Sequence, residues 1–197
     1  MPVCARDVGT YVGFMAVLII FVVLARYRNG KLPDKVIIAV AAVGFAFYLF
    51  DAFSSYLGFR STTNDIRLIS GLAFGSGISM LLFSAASNLL YRKGTDHFRR
   101  TFTYRDLPLV YLLIALLSVP LLIDGSIFFY YLESTIVIVS LLLMVFLITL
   151  ILVVSLTGWS FEKDEERFRS IAVAFVLEAA ILVALWSAHR FGSVTLL

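Results

Sequence analysis

Long apolar runs separated by short polar stretches make up most of the chain. Six such runs occur at about 8–25, 36–58, 68–90, 109–123, 134–157 and 170–188. Because roughly 17–25 apolar residues cross a bilayer as a helix, the pattern predicts an all-α membrane protein with a bundle of six transmembrane helices. The fourth run is short and contains Pro120, so five spans with one re-entrant segment is the alternative.

The composition supports this class of protein. Hydrophobic residues make up 61% of the chain and charged residues only 15%, against roughly 45–50% and 25% in soluble domains. No repeat and no long linker interrupts the pattern, so we predict a single integral membrane domain over residues 1–197. Residues 1–91 are expected to form three helices, and residues 92–197 three more.

The positions of lysine and arginine predict the orientation of the bundle. All 16 of these residues except Arg6, Arg60, Arg67 and Arg190 lie in the first, third and fifth loops. Cytoplasmic loops are enriched in Lys and Arg, so both termini are expected on the extracytoplasmic side of a bacterial or archaeal cell membrane. The net charge of +3 is then explained by topology and by anionic lipid, and no nucleic-acid partner is expected. The polar stretches 92–106 and 162–169 are interpreted as solvated loops.

A polar segment, 51–67, lies between the second and third runs. Asp51, Ser54, Ser55 and Gly58 recur at i, i+3, i+4 and i+7, which places them on one face near the outer end of the second helix. Ionisable groups at such a position mark a structural clamp or a functional site.

The third helix is expected to begin among hydroxyl groups. Thr62 or Thr63 is placed to cap it, with Asp65 completing a variant capping box. Its N-terminus then points outward beside several donors for a phosphate or carboxylate. The candidate ligand-binding residues are therefore Asp51, Ser54, Ser55, Arg60, Thr63, Asn64 and Arg67.

Two interpretations of this segment stay open at this point. In the first interpretation, Asp51 and Asp65 form ion pairs with Arg60 and Arg67, because buried charges require partners. The second is a site for an anionic ligand. Further along the third helix, Gly71, Gly75 and Ser79 form a small-xxx-small face that is typical of close helix packing.

Two segments of the chain resemble the predicted membrane proteins of domain-of-unknown-function family 2085, found in bacteria and archaea. One is Pro2-Val3-Cys4-Ala5-Arg6-Asp7-Val8-Gly9, followed by Tyr11, Gly13 and Phe14; the other runs from Asp51 to Gly71 and contains Ser54-Ser55-Tyr56-Leu57-Gly58, Arg60, Thr62-Thr63-Asn64, Arg67 and Ser70-Gly71. The resemblance covers about the first 90 residues and implies a membrane fold with a candidate site, but no reaction. Many members resemble Cys-x-x-Cys near the start, where this chain has Asp7 in place of the second cysteine.

Secondary candidates lie outside the segment 51–67. Cys4, Arg6 and Asp7 precede the first run, Asp124 and Glu133 are placed in the outward turn after the fourth, and Glu178 lies within the sixth. An ionised Glu178 within a transmembrane helix would indicate a functional role. The alternative is a protonated Glu178 that is hydrogen-bonded to a neighbouring helix. With only two histidines and one cysteine in the chain, no metal site and no cofactor is expected.

The leading hypothesis is a binding or accessory membrane protein whose outward polar pocket holds an anionic lipid headgroup or a small solute. One alternative is a small intramembrane enzyme that acts on a lipid with Asp51 as general base. Another is an ion-coupled carrier that uses Glu178. A subunit of a larger membrane complex is also compatible with the sequence, and whether the protein is an enzyme stays undecided.

Overall fold

The computed structural model describes residues 4–90, 96–122, 127–159 and 163–194. Within these residues the chain forms six α-helices: α1 (Ala5–Val23), α2 (Lys35–Tyr56), α3 (Asn64–Leu90), α4 (Leu107–Leu122), α5 (Ile127–Thr157) and α6 (Asp164–Val194). Two short strands, β1 (Asn29–Lys31) and β2 (Asp96–Arg100), pair in parallel between the helices. Each predicted apolar run therefore corresponds to a helix.

Five of these helices, α1, α2, α3, α5 and α6, are long and apolar enough to cross a membrane. The helix α4 has only 16 residues within the described ranges of the chain, which agrees with its short apolar run. A predominantly α-helical membrane protein is thus confirmed.

Helix α3 occupies the centre and packs against α1, α2 and α5. Two of the small residues predicted to allow close packing, Gly71 and Gly75, do so. A Cβ atom on Gly71 would lie 2.0 Å from the carbonyl oxygen of Arg6, and one on Gly75 would lie 2.1 Å from that of Thr10. Gly9 on α1 lies as close to α3 in return, since its Cβ would approach the Leu68 carbonyl oxygen to 2.4 Å. Backbone therefore meets backbone along the α1–α3 contact.

Aromatic rings fill the core where α1 and α3 approach the chain that enters α4. The rings of Phe21 and Phe83 stack with their centroids 4.7 Å apart, and Phe14 lies 5.3 Å from Phe83. Phe102, which precedes α4, is completely buried against them, 6.1 Å from Phe21. This core holds the start of α4 against the first three helices.

Polar contacts join the loops at this end of the bundle into what we call the loop cluster: Arg26, Asn29, Ser87, Thr101 and Asp106. Arg26 forms an ion pair with the buried Asp106. Ser87 donates to the Asn29 carbonyl oxygen at 2.5 Å, and Thr101 donates to the same oxygen at 3.0 Å. The interpretation of 92–106 as a solvated loop is wrong for Thr101 and Asp106, because their side chains are buried and hydrogen-bonded.

Helix α6 packs mainly on α5, and α5 also packs against α1, α3 and α4. Glu133 lies within α5, so its placement in a turn is wrong: the helix begins at Ile127, before the continuous apolar run. Asp124 lies outside the described residues. On α6, the described side chains that are buried are Ser170, Ala174 and Glu178, which share one face at four-residue spacing.

Candidate functional site

Asp51 is the centre of a polar cluster at the end of the bundle opposite the loop cluster. Its side chain is fully buried. Oδ2 accepts hydrogen bonds from Arg6 Nη2 at 2.6 Å and Arg6 Nε at 3.1 Å, and from Ser70 Oγ at 3.2 Å. Oδ1 accepts from Arg60 Nη2 at 2.9 Å. We call Arg6, Asp51, Arg60 and Ser70 the Asp51 cluster.

Four different segments of the fold bring these groups together. Arg6 lies in the first turn of α1, Asp51 near the end of α2, and Ser70 on α3. Arg60 follows the turn after α2, where Gly58 has a φ of +73°, a conformation that glycine adopts without strain. The Arg60 backbone N–H then donates to the Ser54 carbonyl oxygen at 3.3 Å, which directs this arginine back towards Asp51.

The two segments that carry the family resemblance therefore meet at one carboxylate. Asp51–Arg60 pairing, one of the two interpretations of the segment 51–67, is confirmed. Arg6 was a secondary candidate, but its pairing with Asp51 was not predicted, because the two residues are 45 positions apart in sequence. Ser70 was not among the candidates. The sequence offered one indication of this contact: the first segment contains an arginine, Arg6, and the second contains an acid within an apolar run, Asp51.

Arg67 does not join this cluster. Its Nε donates to Thr62 Oγ1 at 2.6 Å, and its Nη2 donates to Ser55 Oγ at 3.4 Å. Within the residues that the structure describes, no carboxylate lies within ion-pair distance of Arg67, so the proposed pairing with Asp51 or Asp65 is wrong. Among the residues that the structure describes, the hydrogen-bond partners of the Arg67 guanidinium are thus hydroxyl groups.

The remaining candidates of the segment lie around this arginine. Thr63 caps α3, since its Oγ1 accepts from the Ile66 backbone N–H at 3.4 Å. Thr62 instead contacts Arg67, so the capping box through Thr62 does not form. Ser54 donates to the Asp51 carbonyl oxygen at 3.4 Å, and Asn64 is exposed at the start of α3. Ser55, Thr63, Asn64 and Arg67 therefore share the surface at the N-terminus of α3.

The two arginines that pair with Asp51 differ in the exposed fraction of their side chains. The Arg6 side chain is 16% exposed, whereas that of Arg60 is 39% exposed. Arg60 also lies with its guanidinium carbon 5.8 Å from the centre of the Phe50 ring. Arg60 therefore presents donors to the outside, and the half-buried Arg67 lies beside the positive end of the α3 dipole.

The N-terminal candidates have different surroundings. Cys4 is exposed and precedes α1. Asp7 is half-buried, and its backbone N–H donates to the Cys4 carbonyl oxygen at 2.9 Å. Among the described residues no group of three or more His, Cys, Asp or Glu side chains is placed to hold a metal ion.

Glu178 lies in a different environment. It lines a groove between α5 and α6 together with Leu142, Leu143, Phe146, Phe175, Ala179 and Leu182. Its side chain is only 8% exposed. The structure therefore separates two polar features, the Asp51 cluster at a bundle end and one carboxyl group within the apolar region of the last helix pair.

These features define a class of protein: a multi-helix membrane protein whose first three helices are tied together at one end by a buried ion-pair cluster. The family model described as "Predicted membrane protein (DUF2085)" matches residues 1–81. The resemblance inferred from the sequence is thereby confirmed, and the matched region contains the whole Asp51 cluster. The later helices, including Glu178, lie outside the match.

One curated protein is similar to part of the chain. An uncharacterised protein of Methanocaldococcus jannaschii is 27% identical over 93 residues, which are 47% of this chain and 58% of the relative. The chain thus spans a little over half the length of that relative. No solved structure matches the chain significantly.

Proposed function

We propose that this protein is a multi-pass cell-membrane protein that binds an anionic lipid headgroup or a small anionic solute beside the Asp51 cluster. In this proposal the chain is one domain with six spans, and both termini lie on the extracytoplasmic side. The Asp51 cluster holds α1, α2 and α3 together. Arg67 and the exposed portion of Arg60 provide the donors for the ligand.

The two polar ends of the bundle support the spanning arrangement. Ser70 belongs to the Asp51 cluster and Ser87 to the loop cluster, both on α3. At 1.5 Å per residue they are roughly 25 Å apart along the helix, close to the thickness of a hydrocarbon core of about 30 Å. Three buried serines lie between them and donate to carbonyl oxygens of α3 itself: Ser76, Ser79 and Ser84. Their hydroxyl groups are therefore hydrogen-bonded within the helix and are compatible with an apolar surrounding.

The orientation rests on the charges of the loops. The loop cluster belongs to the side with most of the Lys and Arg residues, including Arg26, Arg100 and Arg105. The positive-inside rule then places that side in the cytoplasm and the Asp51 cluster outside.

The state of Arg67 is the single observation that carries the binding proposal. Asp51 already has Arg6 and Arg60 as partners, and no carboxylate of the described residues forms an ion pair with Arg67, which donates to Thr62 and Ser55 instead. Arginine binds phosphate and carboxylate through two parallel hydrogen bonds. The orientation of Arg67 by Thr62 and Ser55 reduces the freedom that it would lose on binding such a group.

The same geometry argues against Asp51 as the general base of a lipid enzyme. A general base needs an accessible lone pair within reach of the proton that it removes. Asp51 is fully buried, and both of its oxygens accept hydrogen bonds from the protein, two of the donors being cationic. We therefore assign it a structural role.

Native mass spectrometry of the protein released from mild detergent tests the binding proposal. The wild type is compared with Arg67→Ala, with Arg67→Lys and with Arg105→Ala as a matched control, because Arg105 is exposed on the opposite end. We expect an anionic adduct on the wild type and on Arg105→Ala, loss of most of it in Arg67→Ala, and partial retention in Arg67→Lys, which keeps the charge without the planar fork.

The mass of the adduct distinguishes the two ligand sources, since a phospholipid and a small anion differ widely. Equal adducts in the wild type and Arg67→Ala would contradict the proposal. Bare protein in every sample would leave the Asp51 cluster with its structural role only. A co-purifying protein would support a subunit of a larger membrane complex instead.

A further inference from the structure

The groove between α5 and α6 is closed at one point along the helices and open one turn further on. Ala174 on α6 packs against Leu150 and Val154 on α5, where the two helices close on each other. One turn later along α6, the space opens into a cavity of about 460 Å³, a size within the roughly 300–1,000 Å³ of small-molecule sites. The small side chain of Ala179 contributes to this opening.

The only ionisable side chain among the residues that line this groove is Glu178. It lies near the middle of the 31-residue helix α6. The residue is more than nine-tenths buried, and within the described residues no hydrogen bond or ion pair of its carboxyl group is found. A charged carboxyl group costs free energy inside a bilayer, and its presence there indicates a ligand or ion site.

The rest of the lining indicates what kind of ligand would complete the site. Leu142, Leu143 and Leu182 offer apolar surface, while Phe146 and Phe175 offer aromatic rings. Aromatic faces attract cations, most strongly where water is excluded. A carboxylate, two phenyl rings and an apolar wall together complement a positively charged group that carries a large apolar body.

We propose that the α5–α6 groove binds a lipophilic monovalent cation, with Glu178 as its counter-ion and Phe146 and Phe175 against its apolar body. This inference goes beyond the proposed function, because it concerns a separate site. None of the residues that line the groove belongs to the Asp51 cluster or to the region matched by the family model. Failure of one proposal therefore leaves the other intact.

Equilibrium dialysis of labelled tetraphenylphosphonium against the purified full-length protein in mild detergent tests the proposal. We expect saturable binding to the wild type and a loss of affinity of about tenfold or more in Glu178→Gln, because the charge pair forms in a dry environment. Glu165→Gln is the matched control. It removes the same charge from the same helix at an exposed position, and it should bind like the wild type.

Two further measurements protect the test against a misfolded variant. Ala179→Phe retains Glu178 but fills the groove from a position whose side chain is exposed, and we expect it to lose saturable binding as well. In the wild type, neutral triphenylphosphine oxide, which has an apolar body of similar kind, should compete poorly. Equal binding by Glu178→Gln and the wild type, or competition by the neutral compound as strong as that by unlabelled cation, would overturn the proposal.

Discussion

Asp51 is a fully buried carboxylate near the end of a largely apolar helix. Its burial is tolerated because two arginines and one serine replace the water that it would contact in the unfolded chain. Those arginines are partly exposed, which lowers the cost of burying them as well. Asp51 is therefore the residue on which the contacts between the ends of α1, α2 and α3 depend.

Replacing this carboxylate should measure its contribution directly. In Asp51→Asn the side chain keeps its size but loses its charge, and an amide N–H group faces donors of Arg6 or Arg60. We expect the free energy of unfolding to fall by about 2–3 kcal/mol, read as a lower apparent melting temperature in detergent. Asp65→Asn is the control, because Asp65 is exposed in the first turn of α3. Equal stability of both variants would contradict a structural role for Asp51.

Residue-scale prediction succeeded where partners are near in sequence. The ion pair of Asp51 with Arg60, nine residues apart, follows from the need to pair a charge within one polar segment. Helical periodicity gives no information on Arg6, since a contact across 45 residues depends on how α1 packs against its neighbours. The same limit explains why Ser70 was not assigned to the site.

At the scale of elements, α1 and α3 are held together by glycines rather than by large side chains. Gly9 on α1 and Gly71 on α3 each place backbone against backbone of the other helix. Inside a membrane, such close approach adds van der Waals contacts that apolar burial alone does not provide. The same contact positions Arg6, whose carbonyl oxygen faces Gly71, next to Asp51.

Adding one methyl group at this contact should separate the two helices. In Gly71→Ala the new Cβ would lie 2.0 Å from the Arg6 carbonyl oxygen, a distance that requires the backbone to shift. We expect destabilisation of about 1–3 kcal/mol, measured by thermal unfolding in detergent. Ala46→Val, on the exposed face of α2, adds a larger volume and should change little. Wild-type stability of Gly71→Ala would show that α1 and α3 do not pack this closely.

The positions of the helices were predictable from the apolar runs, but their ends were not. Helix α5 begins at Ile127, whereas the continuous apolar run begins at residue 134. The polar residues Tyr130, Tyr131 and Glu133 are helical, so the apolar run alone does not give the start of the helix. Phe102 and Thr101 lie in a stretch rich in charge, and their burial depends on the pairing of β1 with β2 and on the end of α3. Local patterning does not report such contacts.

On the scale of the whole molecule, two polar clusters close the ends of an apolar three-helix unit. The Asp51 cluster joins the start of α1 to the turn between α2 and α3, while the loop cluster joins the end of α1 to the end of α3 and the start of α4. Because the clusters lie at opposite ends, the direction of this unit in the membrane decides which side any ligand of Arg67 approaches from.

The single cysteine of the chain allows this direction to be measured. Cys4 is exposed at the start of α1, on the side of the Asp51 cluster. The charge distribution predicts that this side is extracytoplasmic, so a membrane-impermeant maleimide should label Cys4 in intact spheroplasts. In Cys4→Ser/Lys163→Cys the thiol occupies an exposed position in the fifth loop, and labelling should require permeabilisation. Cys4→Ser alone should stay unlabelled. The reverse pattern would place the Asp51 cluster in the cytoplasm, where Arg67 would meet inner-leaflet headgroups and cytoplasmic anions rather than extracytoplasmic ligands.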